Sequence, residues 1–156
     1  MEDIKYSNNN FNFVYRVSAV IFNKDKTKIL LFYGNDSDFY MLPGGKVKEF
    51  EKSSDAIKRE IKEEIGYDNL EYDLIGISEE LVKNEEKKIH QLTLTYKSTY
   101  NGEISELPFK SKETDWINFK WVGIEDLENY NIHPKNIIKM VKNNNEINHI
   151  VEKIIN

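Results

Sequence analysis

The stretch GKVKEFEKSSDAIKREIKEEIGY, residues 45–67, decides how the rest of the chain is read. Pro43, Gly44 and Gly45 break a short apolar run at residues 39–42, and helical periodicity then holds over 53–65. Gly66 stands just past that periodicity, where a helix end favours a residue free to take positive φ. Ser53 or Ser54 is the expected N-terminal cap. On a wheel starting at Ala56, Glu60, Glu63 and Glu64 join Ala56 within an arc of roughly 100°. Lys58, Lys62 and Arg59 lie on the far side, and Ile57, Ile61 and Ile65 form an apolar stripe that abuts the acidic arc.

That arrangement opposes itself unless something binds there. Glu60 faces Glu63 at i+3 and Glu64 at i+4, and each such like-charge pair costs a helix ~0.2–0.5 kcal/mol. The cost grows beside a buried face, where the effective dielectric falls. A solvated helix would interleave these glutamates with lysines, but the lysines sit on the wrong side. Crowded carboxylates with only oxygen donors suit a hard divalent cation, Mg²⁺ or Mn²⁺. Glu51 precedes the helix, and Arg59 is positioned to brace it with a planar fork of donors.

Working outward, β-branched and aromatic residues predict strands over 13–22 and 28–33, joined by a polar turn at 23–27. Further strands are expected over 72–78, 89–100 and 117–122, with Leu92, Leu94 and Tyr96 on one face of the second of these. Residues 125–127 and 133–142 read as helical, and the Asn-rich tail, 143–156, as a last short helix. The order predicts an α/β (α+β) fold with a mixed sheet and packed helices. It also predicts one domain over 1–156, with its core at 13–142. No Gly-x-Gly-x-x-Gly follows a strand, so a Rossmann reading fails.

Composition narrows the classes. The chain has 156 residues, 39% hydrophobic and 31% charged, as a folded globular protein does. No apolar run is long enough to span a bilayer, and the first residues lack the basic start and apolar stretch of a signal peptide. The absence of cysteine excludes thiolate metal sites and fits a reducing cytoplasm. A net charge of −5 argues against a nucleic-acid polymer as partner. The basic residues are nearly all lysine, with Arg only at 16 and 59. An arginine kept against that bias points to a need for the guanidinium itself.

Residues 45–67 resemble the Nudix box: Gly, five residues, Glu, seven residues, Arg-Glu-aliphatic, any residue, Glu-Glu, any residue, Gly, aliphatic. Gly45, Glu51, Arg59, Glu60, Ile61, Glu63, Glu64 and Gly66 fill the pattern, and Tyr67 at the final aliphatic position is the one departure. A chance match in this composition is on the order of 10⁻⁷. The resemblance implies a Nudix-type α/β/α sandwich with a loop–helix–loop catalytic motif. It also implies Mg²⁺- or Mn²⁺-dependent hydrolysis of a diphosphate linkage in a small nucleotide substrate, by water attack at phosphorus. Glu60 and Glu64 would be the main metal ligands, with Glu63 and the Gly45 carbonyl assisting. Glu60, or a carboxylate from a later loop, would take the proton from the attacking water, while Arg59 and Glu51 support the site. Gly44, Lys46 and Arg16 are candidate substrate contacts, and dimerisation is common among such proteins.

Several assignments stay open at this level. Glu79, Glu80 and Glu113 are all candidates for a fourth carboxylate. Arg16 reads equally as a phosphate contact or a surface strand residue. His90 reads as an ordinary half-buried strand histidine, His133-Pro134 as a helix start, and Trp116 and Trp121 mainly as core. The competing function is a catalytically silent binding or regulatory module, which would be expected to lose one of Glu60, Glu63 or Glu64. All three are present.

Overall fold

The computed structural model describes all residues, 1–156. The longest strands are β2 (Phe11–Asn23) and β6 (Lys88–Tyr100), and they run parallel in register over their whole length. One edge of β2 is given entirely to β6. Its other edge is shared in succession by β1 (Lys5–Ser7), β4 (Gly44–Lys46) and β3 (Lys28–Gly34). The remaining strands are β5 (Asp73–Lys83), β7 (Phe109–Lys110), β8 (Ile117–Gly123) and β9 (Asn148–Ile155). The mixed sheet runs β7-β8-β3-β2-β6-β5-β9.

Alternation along β2 sends its side chains to two different cores. Val17, Ala19 and Ile21 pack under α1 (Ser53–Glu64) with Ile57, Ile61, Tyr96, Phe119 and Trp121. Val20 and Phe22 point to the other face, which is covered by α2 (Ile137–Lys142) and a 3-10 helix over Ile124–Asn129. The result is the expected α/β/α sandwich. In α1, Ala56, Ile57 and Ile61 are fully buried. Each buried isoleucine contributes roughly 1.5–3 kcal/mol, which outweighs the repulsion along the acidic edge.

Several local expectations are corrected. Neither serine caps α1: Lys52 is at the cap position without a side-chain bond, and the Ser53 hydroxyl pairs with the Tyr96 hydroxyl at 2.7 Å. Gly66 does end the helix, at φ 83°, with its N–H donating to the Ile61 and Lys62 carbonyls. Helix α2 begins at Ile137, beyond the cis His133–Pro134 peptide. The tail is a strand rather than a helix. β9 pairs parallel with β5 and buries Ile150 in the core, so the core extends past residue 142. The turn into β9 is tied by Asn148, whose Nδ2 donates to the carbonyls of Ile75, Asn143 and Glu146. No helix is long and apolar enough to cross a membrane.

Candidate active site

Arg59 organises the loop and the helix. Its Nε and Nη2 donate to the two Glu51 oxygens at 2.7 and 2.9 Å, and Nη2 also reaches the Lys46 carbonyl at 3.1 Å. Nη1 donates to Glu60 at 2.7 Å and to Glu63 at 3.2 Å. All five guanidinium N–H groups are thereby used. The expectation of Arg59 on the far side is corrected: at 100° per residue it stands roughly 40° from Glu63, flanking the acidic arc. Glu51 also accepts from the Lys48 N–H at 2.9 Å. The Arg59 hydrogen bond holds the Glu51 carboxyl below its usual range despite some burial.

The three box glutamates differ in environment. Glu63 is partly exposed and turned to Arg59. Burial pushes the Glu60 carboxyl up, opposed by Arg59, while the charges of Glu63 and Glu113 add to the rise. Gly45 lies directly against the Glu60 carboxylate, where any β-carbon would collide with it. Glu64 is pushed up to about 8, first by burial and then by Glu60 and Glu113, with Arg16 and the Gly44 backbone pulling the other way. Its Oε2 is buried and has no hydrogen-bond partner. The carboxylates are not gathered into a three-ligand cluster, and Arg59 bonds both Glu60 and Glu63. An orphaned buried carboxylate oxygen among oxygen-only donors, with two more acidic groups acting on it, nevertheless fits a hard divalent cation.

Among the later acidic residues, Glu113 is the one whose charge acts on both Glu60 and Glu64. Its approach is built by helix-end chemistry. The last carbonyls of α1 need donors, and the Glu64 carbonyl receives the Lys112 N–H at 2.8 Å and the Ser111 hydroxyl at 3.4 Å. The Glu113 N–H then donates to Ser111 Oγ at 3.2 Å. Ser111 and Lys112 thus anchor Glu113. Glu79 instead faces His149 at 2.8 Å and His90 at 3.8 Å. Glu80 accepts from Gln91 at 3.2 Å.

Of the candidate substrate contacts, Gly44 and Lys46 lie on β4 opposite Ser18 and Arg16. The Lys46 ammonium is 3.3 Å from Asp3, so its charge has a partner. Arg16 lies within the field of both Glu64 and Glu80. His90 sits edge-on to Phe13 on the opposite face of the sheet from Arg16. Trp121 is core, but Trp116 is largely exposed. Tyr67, the departure from the box, stacks on Tyr100 with ring centroids 3.9 Å apart, so the position keeps a packing role.

The sandwich and its loop–helix–loop edge define a class. The family model of the NUDIX domain matches residues 12–142, and the chain belongs to the Nudix hydrolase family. The m7GpppN-mRNA hydrolase of Saccharomyces cerevisiae is 32% identical over 113 residues, 67% of this chain and 11% of that protein. The chain therefore spans only a small part of that relative's length. The RNA pyrophosphohydrolase of Pelagibacter ubique is 28% identical over 136 residues, covering 78% of this chain and 84% of that one. In fold, the chain is similar to the MutT protein from Bacillus halodurans, with a TM-score of 0.69 and 21% identity over 87% of this chain and 86% of that one.

Proposed function

We propose that this Nudix hydrolase cuts a diphosphate linkage in a nucleoside diphosphate derivative or a nucleoside triphosphate, with water attacking phosphorus. The observation that carries this reading is the buried, unpartnered Glu64 oxygen one helical turn from Glu60, whose carboxylate lies against Gly45. In this reading Glu60, Glu63, Glu64 and the Gly45 carbonyl hold Mg²⁺ or Mn²⁺. When bound, the cation lowers the pKa of water and offsets charge on the bridging and leaving oxygens. Glu60, or Glu113 from the later loop, accepts the proton from the attacking water. Arg59 and Glu51 hold the loop against the helix so that Gly45 and Glu60 keep their close approach. Arg16 offers a guanidinium to the phosphates, and half-burial strengthens that attraction by excluding water.

The test is a hydrolysis panel with Mg²⁺ and with Mn²⁺, products identified by mass. It covers nucleoside triphosphates, nucleotide sugars, ADP-ribose and, because two relatives are named for acting on RNA, an RNA 5′-triphosphate. Glu60→Gln and Glu64→Gln are each expected to lower turnover by at least ~10²-fold while circular dichroism stays native. No hydrolysis of any substrate, or full activity in either variant, would overturn the proposal.

A further inference from the structure

The sheet face that carries Arg16 is polar and yet sheltered. Register places Val14, Gln91, Glu80 and Glu152 in one row across β2, β6, β5 and β9, and Arg16, Thr93, Ser78 and Ile150 in the next. A third row continues with Ser18 and Thr95. An ordinary polar sheet face is solvated. Here Thr93, Ser78 and Thr95 are 8%, 3% and 2% exposed, and the Thr93 hydroxyl has no partner. Gln91 and Glu80 are only half-buried, so this end of the face is partly open to solvent. Buried polar groups left unpaired are costly, and a bound molecule would supply the missing partners.

We infer that Glu80 and Gln91 read the base of the substrate nucleotide, and that the base is guanine. The inference rests on the diphosphate reading of the site, with the phosphates at Arg16 and Glu64 and the base at the next row of side chains. Gln91 Nε2 donates to Glu80 Oε1 at 3.2 Å. A carboxylate only accepts, so this contact fixes the orientation of the amide and leaves Gln91 Oε1 free. Glu80 keeps its second oxygen free as well. The pair therefore keeps two free acceptors, Gln91 Oε1 and Glu80 Oε2. Guanine is the base whose Watson–Crick edge carries two adjacent donors, N1–H and the N2 amino group. Adenine and cytosine would set a ring-nitrogen lone pair against one of those oxygens. Uracil offers a single donor between two acceptors. His133 also acts on Glu80 from the facing loop and packs edge-on to Phe39 at 5.3 Å.

The test measures equilibrium binding of GMP and AMP by titration calorimetry with Mg²⁺ present. Neither monophosphate contains an anhydride to cut, so binding is scored whether or not the chain hydrolyses anything. Wild type is expected to bind GMP at least ~10-fold more tightly than AMP. Glu80→Gln is nearly isosteric and replaces one acceptor with a donor, so the GMP-to-AMP ratio should fall toward one. Gln91→Ala is the second variant, with the same expectation. Equal affinities in wild type, no detectable GMP binding, or a ratio kept in both variants would overturn the inference. A GMP preference without hydrolysis of any nucleotide diphosphate would sink the diphosphatase reading and leave the base assignment standing. Hydrolysis with no base preference would do the reverse.

Discussion

Arg59 holds Glu51 by two parallel hydrogen bonds, Nε to Oε1 at 2.7 Å and Nη2 to Oε2 at 2.9 Å, across the junction between the loop and helix α1. The arginine side chain is 20% exposed and the glutamate 10%, so the pair is sheltered enough to matter energetically. One residue on the helix thereby fixes the loop that carries Gly45.

Arg59→Lys keeps the charge but has neither the fork nor five donors. The variant is expected to lose roughly 2 kcal/mol of stability in urea denaturation and to lose turnover. A wild-type unfolding midpoint together with wild-type activity would remove the bracing role. The pair also has a pH signature. The folded Glu51 carboxyl lies below its ordinary value near 4.5, so its contribution is complete above that value and is lost as pH falls through the depressed one. Glu51→Gln should therefore flatten part of the acid limb of the stability profile.

Glu64 gives the opposite slope. Its folded value of about 8 lies above the ordinary 4.5, so between these the folded, metal-free chain binds a proton that the unfolded chain releases. Stability in chelator is expected to fall as pH rises from about 4.5 to about 8 and then to level off. Because a metal takes the ionised carboxylate, added Mg²⁺ or Mn²⁺ should raise the melting temperature most at alkaline pH. Differential scanning across pH, with and without chelator, checks this. An unchanged slope in Glu64→Gln would show that another group is responsible.

Phe50, next to Glu51, is fully exposed at φ 60°. The left-handed region costs an L-residue roughly 1–2 kcal/mol, whereas the unfolded-chain entropy added by glycine costs roughly 0.5–1 kcal/mol. Phe50→Gly is thus expected to raise the melting temperature, and Phe50→Ala, which keeps the strain, is not. A lower melting temperature for the glycine variant would contradict this.

The strand assignment of the tail is tested by adjacent residues. Ile150 is 7% exposed and Val151 55%. Ile150→Ala is expected to cost about 2–4 kcal/mol, and Val151→Ala less than about 0.5 kcal/mol. Similar small effects at both positions would be the behaviour of a detached tail.

Much of the candidate site was legible in residues 45–67. Helix α1, its apolar stripe and the end at Gly66 follow from contacts three and four positions apart, and any reading of the chain carries that spacing with it. The Arg59 bridge to Glu51 was legible for the same reason, since loop and helix adjoin in sequence. Failures came where a distant partner decided the outcome. Ser53 gave up capping because Tyr96, on a strand far along the chain, offered its hydroxyl. The tail became β9 because the free edge of β5 had backbone groups to satisfy, and no periodicity within residues 143–156 reports that edge.

The order of residues alone therefore determined the acidic helix edge and the class of chemistry it suits, because both depend on local spacing and ionic character. Tertiary structure alone decided that Glu113, rather than Glu79 or Glu80, comes to act on Glu60 and Glu64, and that Glu80 meets Gln91 across β5 and β6 on the face of Arg16. Those meetings are set by strand register and by a loop satisfying the end of a helix, and both depend on surfaces that do not exist until the chain has folded.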